Sequence, residues 1–285
     1  MNNNIGNRKQ LIGNVVRAGI FGAVLTVFPA STATFAQEAV QKTFVTPEQQ
    51  KPNEALTLVG KGKELLAAKQ YQEALEAFQK AAELEPATDA AWDGQSDALH
   101  ALKRPADANA LLDKWVQVQP RNLNAWTYKM MMNAMAGHHA DALKACDKLI
   151  ELDPANGDYN MGRGQMLTCL GRDDEALAAY EKAAALSTNL IVRADAWNGC
   201  AEMLARKGKF DEVIKSCTKS IELSGRNPQP WYRRAVARAQ AADTANALAD
   251  LKKAIELRPE YKGEAAKDAA FKALQDNAGF KTLTK

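Results

Sequence analysis

The side chains able to do chemistry are few: 3 histidines and 4 cysteines in 285 residues. His138-His139 follows closely on Met130, Met131, Met132 and Met135, and thioethers with imidazoles are soft ligands of the kind copper takes. Helical spacing divides that run, with Met130 on one face and Met131 and Met135, four apart, on another, so it serves several surfaces. Neither His-Glu-x-x-His nor Cys-x-x-Cys occurs. Gly60-Lys61-Gly62-Lys63 lacks the phosphate-loop spacing, and Gly94-Gln95-Ser96-Asp97-Ala98 lacks the final glycine of a nucleophile elbow. These readings predict no catalytic residues, no metal site and no cofactor.

The elements that carry these residues recur along the chain. Trp92 and Trp126 are 34 apart, as are Trp197 and Trp231, and Pro86, Pro120 and Pro154 keep the same interval. Ala74, Ala108, Ala142, Ala176 and Ala247 each stand 12 before the proline or its equivalent. Such a period fixes a repeat architecture. In the first unit Leu58, Leu65 and Leu66 form a helical stripe, Lys69-Gln70-Tyr71 breaks it, and Gln72 to Leu84 carries a second stripe that Pro86 stops. Each unit therefore reads as helix, turn, helix, and neither helix can bury its apolar face alone.

This pattern resembles the tetratricopeptide repeat. Six copies cover 55–88, 89–122, 123–156, 157–190, 194–227 and 228–261, the first matching at Leu58, Gly62, Leu65, Ala74, Phe78, Ala81 and Pro86. The resemblance implies an all-α fold, a right-handed superhelical solenoid of about six helix-turn-helix repeats. A capping helix and tail are expected over 262–285, with Ala265 to Leu274 covering the last repeat and Phe280 and Leu283 extending that cover. Departures are Ser96, Trp115 and Met130 in the second and third copies, Val213 and Ser220 in the fifth, and, between the fourth and fifth, Thr188 in place of the proline with three extra residues.

In this family the first helix of each repeat lines a concave groove. Carried onto this sequence, the groove positions are Asp93, Asp97 and His100 in the second copy and Asn124, Thr127, Met131 and Met135 in the third. The fourth contributes Asp158, Met161 and Gln165, and the fifth Asp195, Asn198, Glu202 and Arg206. Met131, Met135 and Met161 are expected as a central adaptable patch for an extended or helical segment. The two-carboxylate clamp that some members use for acidic tails is incomplete, because Val59 and Lys63 occupy its positions.

Charge and leader bound the setting. Met1 to Arg17 is polar and holds Arg8, Lys9 and Arg17, Ala18 to Phe28 is apolar, and Thr34-Phe35-Ala36 offers small residues before Gln37. This predicts a signal peptide over 1–36, a periplasmic destination (or an anchor, if the segment is uncleaved), and a flexible linker over 37–54. An apolar run of 11 residues is shorter than a bilayer-spanning helix, so the processed chain is expected not to be an integral membrane protein. Downstream, 34 basic side chains face 34 acidic ones, a balance that argues against nucleic acid as partner. Residues 37–192 hold 16 basic and 22 acidic side chains, and 193–285 hold 18 and 12. In an oxidising compartment Cys200 and Cys217, on the two helices of one repeat, are the expected disulfide pair among four cysteines. The function expected is a non-catalytic protein–protein interaction scaffold or assembly cofactor of the bacterial cell envelope. The alternatives are an accessory domain of an envelope-polymer enzyme and a metal-handling protein.

Overall fold

The computed structural model describes residues 47–285, so the expected signal at 1–36 and the first part of the tether lie outside the described residues. Among the described residues there is no strand. The chain divides into two compact units, one ending at Gly94 and the other running from Gln95 to Lys285.

The first unit holds α1 (Pro47–Ala67), α2 (Tyr71–Leu84) and the start of α3 (Asp89–Ala101). The helix α1 begins eight residues ahead of the first copy, so 47–54 is helical where a tether was expected. Glu48, Gln49, Gln50 and Lys51 are good helix formers, and Pro47 at the helix start gives up an N–H that would have no partner there. Phe78 is fully buried. A Cβ at Gly62 would meet its ring at 2.7 Å and one at Gly94 at 2.4 Å, so two glycines make the slot that the aromatic fills.

The second unit continues through α4 (Pro105–Val118), α5 (Leu123–Met135), α6 (His139–Leu152), α7 (Gly157–Cys169) and α8 (Asp173–Leu186). It goes on with α9 (Leu190–Arg206), α10 (Phe210–Leu223), α11 (Pro228–Gln240) and α12 (Thr244–Leu257). Two kinds of junction repeat. Between the helices of a copy, one residue takes a positive φ: Gly137 (77°), Gly171 (71°), Gly208 (69°) and, without glycine, Lys103 (57°) and Ala242 (59°). The N–H of the following residue then reaches back five places, His138 to Asn133 and Asp243 to Arg238, which satisfies carbonyls the helix end would leave open.

Between copies, asparagine caps the next helix. Asn122, Asn156, Asn189 and Asn227 each accept a backbone N–H of the first turn, from Ala125, Asp158, Ile191 and Gln229, a contact worth about 1 kcal/mol per cap. The periodic tryptophans fasten the same junction. Trp126 donates its indole N–H to the Pro120 carbonyl at 3.0 Å and Trp231 to that of Gly225 at 3.1 Å; in the first unit Trp92 does so to Pro86 at 2.9 Å.

The three extra residues are absorbed as one added helical turn. The helix α9 has 17 residues against 13 in α7, and its new turn exposes Leu190 (56%) and Ile191 (65%). Trp197 consequently makes no six-back bond and instead lies under the Lys219 ammonium, 3.9 Å from the ring centroid. The Ser187 backbone crosses the start of α7 so closely that a Cβ on Gly157 would come within 2.1 Å of the Ser187 nitrogen.

The main core of this unit gathers Cys146, Leu167, Ala176, Ala179, Tyr180, Cys200 and Met203, with Tyr180 held between Gly164 and Gly199. The C-terminal cover differs from the single capping helix expected. It consists of α13 (Tyr261–Lys267), a 3-10 turn (Ala269–Leu274) and α14 (Ala278–Thr284). Asp268 accepts the Ala270 N–H and breaks the chain between the first two, and Asn277 caps the third. Phe271, Leu274 and Phe280 are the buried cover, whereas Ala266, Ala269 and Ala273 are exposed.

Candidate functional site

Apart from Asp93, the residues expected to line the groove lie in the second unit, where they fall into three groups. The first is open. Met131 is 48% and Met135 72% exposed, four apart on α5, and Asp97, His100, Asn124, Asp158 and Gln165 are also exposed. Asp158 accepts the Ser187 hydroxyl at 2.5 Å. The second group is absorbed by packing. Met161 is half-buried against the Tyr180 core and against Ala183 and Ala196, so it does not join Met131 and Met135 in a surface patch. The Thr127 hydroxyl donates to the Leu123 carbonyl of its own helix at 2.8 Å. Asp93, in the first unit, is half-buried.

The third group is closed by the next copy. Asn198 is buried; its amide donates to Gln229 at 3.2 Å and its oxygen accepts from the Arg233 guanidinium. Glu202 pairs with Arg206 at 3.0 Å and with Arg233 at 3.2 Å, and Arg206 also reaches Asp173 at 2.9 Å. Asp195 accepts weakly from Asn227 at 3.4 Å. Asn198 and Glu202, expected as groove contacts, are thus joined in an inter-repeat network. At the equivalent positions of α11, Tyr232 stacks on Tyr261 at 4.4 Å and donates its hydroxyl to Asp268 at 2.8 Å, and Gln240 donates to the Ala270 carbonyl. Burial and the Asp268 carboxylate both push the Tyr232 phenol well above its usual range.

The chemical candidates are dispersed. Met130 packs half-buried on the main core, while His138 precedes α6 and His139 is half-buried. Among the described residues no three His, Cys, Asp or Glu side chains form a metal-holding group. Cys146, Cys169, Cys200 and Cys217 are free thiols, which corrects the expected bridge. Cys200 packs with Tyr180 and Met203, whereas Cys217 packs in a different cluster with Ala201, Leu204, Val213 and Ala237. Two helices of one repeat do face each other, but these two sulfurs turn toward different neighbours. Burial pushes the thiols of Cys146, Cys200 and Cys217 up to about 12, so at neutral pH they are small apolar core groups and poor nucleophiles.

One feature was not anticipated from sequence. A cleft of about 620 Å3 opens between α4, α5 and α6, lined by Asp113, Trp126, Lys129, Asn133, His138, Asp141, Lys144 and Lys148 among others. Asn133 stands where other copies carry Leu99, Leu167 and Leu204, which is the sequence signal that could have found it. Its lysines are already engaged: Lys129 with Asp113 at 2.7 Å, Lys144 with Asp141 at 2.8 Å and Lys148 with Glu151 at 2.7 Å. Lys144 holds the Asp141 carboxyl below its usual range through a hydrogen bond and its charge.

Family profiles described as tetratricopeptide repeat match residues 59–122 and 136–190 in one form and 228–261 in another, together more than half the chain. The fold is similar to that of Pseudomonas aeruginosa pilF, with 15% identity, 76% of this chain and 99% of that one covered, and a TM-score of 0.59. It is also similar to YrrB, described as a TPR protein with an unusual peptide-binding site, with 22% identity, 68% and 100% coverage, and a TM-score of 0.55. A third similar structure is MamA from Desulfovibrio magneticus RS-1, at 17% identity, 62% and 96% coverage, and a TM-score of 0.52.

Proposed function

Because this chain belongs to the tetratricopeptide-repeat family, whose fold suits it to an interaction scaffold, we propose that it holds a peptide segment of another protein against the first-helix face of α5 and α7. The observation that carries this reading is the pair Met131 and Met135, large apolar side chains left exposed at groove positions whose counterparts in α9 and α11 are occupied. Thioethers adapt to varied apolar anchors at small conformational cost. The peptide-binding description of YrrB gives the reading a precedent in a chain of similar fold. The role is non-catalytic, and the basic, apolar, small-residue order of the leader supports an exported protein working in the cell envelope as an assembly cofactor.

The test is partner capture from envelope fractions by the unmodified chain and by Met131→Ser/Met135→Ser, each checked for helicity and melting. Capture lost with folding intact supports the groove; capture unchanged removes it. Sequencing the N-terminus of the exported protein tests the leader, with Gln37 the expected first residue.

A further inference from the structure

We infer that the turn inserted between the fourth and fifth copies builds a second docking site, outside the proposed groove, for an acidic peptide segment: Arg193 and Lys219 take its carboxylates, and Leu190 takes an apolar side chain beside them. In the third and sixth copies the residue four before the tryptophan is the capping asparagine, Asn122 or Asn227, and the indole N–H closes onto the carbonyl six back. The extra residues move the cap to Asn189 and draw the same position, now Arg193, into α9. The carbonyl six before Trp197 is that of Ile191, inside the helix, and the Trp197 N–H is left without an acceptor.

Leu190, Arg193 and Trp197, at spacings of three and four, share one face of α9, whereas the groove positions Asp195, Asn198 and Glu202 run along another. Side chains of a helix lean toward its N-terminus, which carries the Trp197 ring toward Arg193. The Lys219 ammonium stands 3.9 Å from the centroid of that ring, so both cations border one indole. The Arg193 Nε is buried with no acceptor, a state that costs free energy. Among the described residues no other lysine or arginine nitrogen is so placed. No acid of the described chain pairs with either cation, and Glu222, one turn on from Lys219, is not within ion-pair distance of it. The wider charge agrees, since residues 193–285 hold 18 basic and 12 acidic side chains, a field that draws an acidic segment and repels a basic one. Guanidinium and carboxylate form the stronger kind of hydrogen bond, and Leu190, 56% exposed in the same stripe, offers apolar area to a neighbouring side chain.

The test uses the purified full chain and three N-terminally labelled, C-terminally amidated peptides by anisotropy: Gly-Glu-Leu-Leu-Glu-Gly, and the same peptide with both acids as Gln or as Lys. The Glu peptide is expected to bind about fivefold tighter than the Gln peptide, the scale of two partly exposed charge pairs, with the Lys peptide weakest. That preference disappears in Arg193→Gln/Lys219→Gln and shrinks between about 50 and 500 mM salt. It is unchanged in Met131→Ser/Met135→Ser, which separates this site from the groove. Neither cation makes a side-chain hydrogen bond or ion pair within the fold, so the double variant should melt with the unmodified chain; if it does not, Lys219→Gln alone is read, with about half of the preference lost. Equal binding of the Glu and Gln peptides, no binding of either, or a preference that survives loss of both cations overturns the site. A preference lost instead in Met131→Ser/Met135→Ser assigns the acidic segment to the groove and overturns the site as well.

Discussion

The third and fifth copies carry groove residues at the same repeat positions, yet they end in opposite states. On α5, Met131 and Met135 stay exposed. On α9, Asn198 and Glu202 are taken up by Arg233 of the next copy, and Arg206 joins them to Asp173. The difference lies one repeat away from the residues concerned. A long cation at Arg233 reaches back and engages polar groups that would otherwise face solvent, whereas in the fourth copy Met161 packs into the core and Met131 stays half exposed. Repeat register fixes which residues lie on a face, and the neighbouring copy decides which of them remain available.

The strongest way to break the comparison is at the closed end. Arg234 and Asp250 retain only 10% and 4% side-chain exposure and are bonded twice at 2.8 Å, with Arg238 a second partner of Asp250. Arg234→Ala leaves a buried carboxylate partly matched and is expected to cost about 3 kcal/mol in denaturant unfolding; a cost below about 1 kcal/mol would show that this region is not held by its charges. Next, Arg233→Ala releases Asn198 and Glu202, at an expected cost of about 1–2 kcal/mol for partners left unsatisfied. If partner capture also rises in that variant, the fifth copy is a groove that the chain keeps closed.

The turns offer a paired test. Gly137 and Ala242 hold the same left-handed position in the third and sixth copies, where a Cβ is strained. Gly137→Ala should lower stability by about 1 kcal/mol and Ala242→Gly should raise it by somewhat less, because glycine also loosens the unfolded chain. Equal and negligible shifts in thermal melting would remove strain as the reason for glycine there. The smallest effect belongs to the open end: Met131→Ser with Met135→Ser should change unfolding free energy by under about 0.5 kcal/mol per site, and a larger loss would mean that these side chains are core.

Most of the fold was legible because it depends on local periodicity. The 34-residue interval of Trp92 and Trp126 announces the repeat, and the same indoles prove to close the junctions between copies. The insertion was located, though its outcome as an added turn of α9 depends on Gly157 leaving room for the Ser187 backbone. The cap was misjudged in form because an alanine stripe reads as a helix, whereas Asp268 and Asn277 divide the segment and Phe271 and Phe280 supply the burial. The candidate site was only half legible. Register located Met131, Met135, Asn198 and Glu202 alike, but whether a side chain meets Arg233, or Cys200 meets Cys217, depends on contacts some 15 to 35 residues away that no periodic pattern records.

The open face of the third copy is tested most directly by oxidation footprinting of the folded chain with dilute peroxide, read residue by residue in a mass spectrometer. Thioether oxidation follows solvent access, so Met131 and Met135 should be converted first, while Met166 and Met203, both buried, react only on unfolding. Oxidation of Met203 or Met166 as fast as Met131 and Met135 would contradict the account.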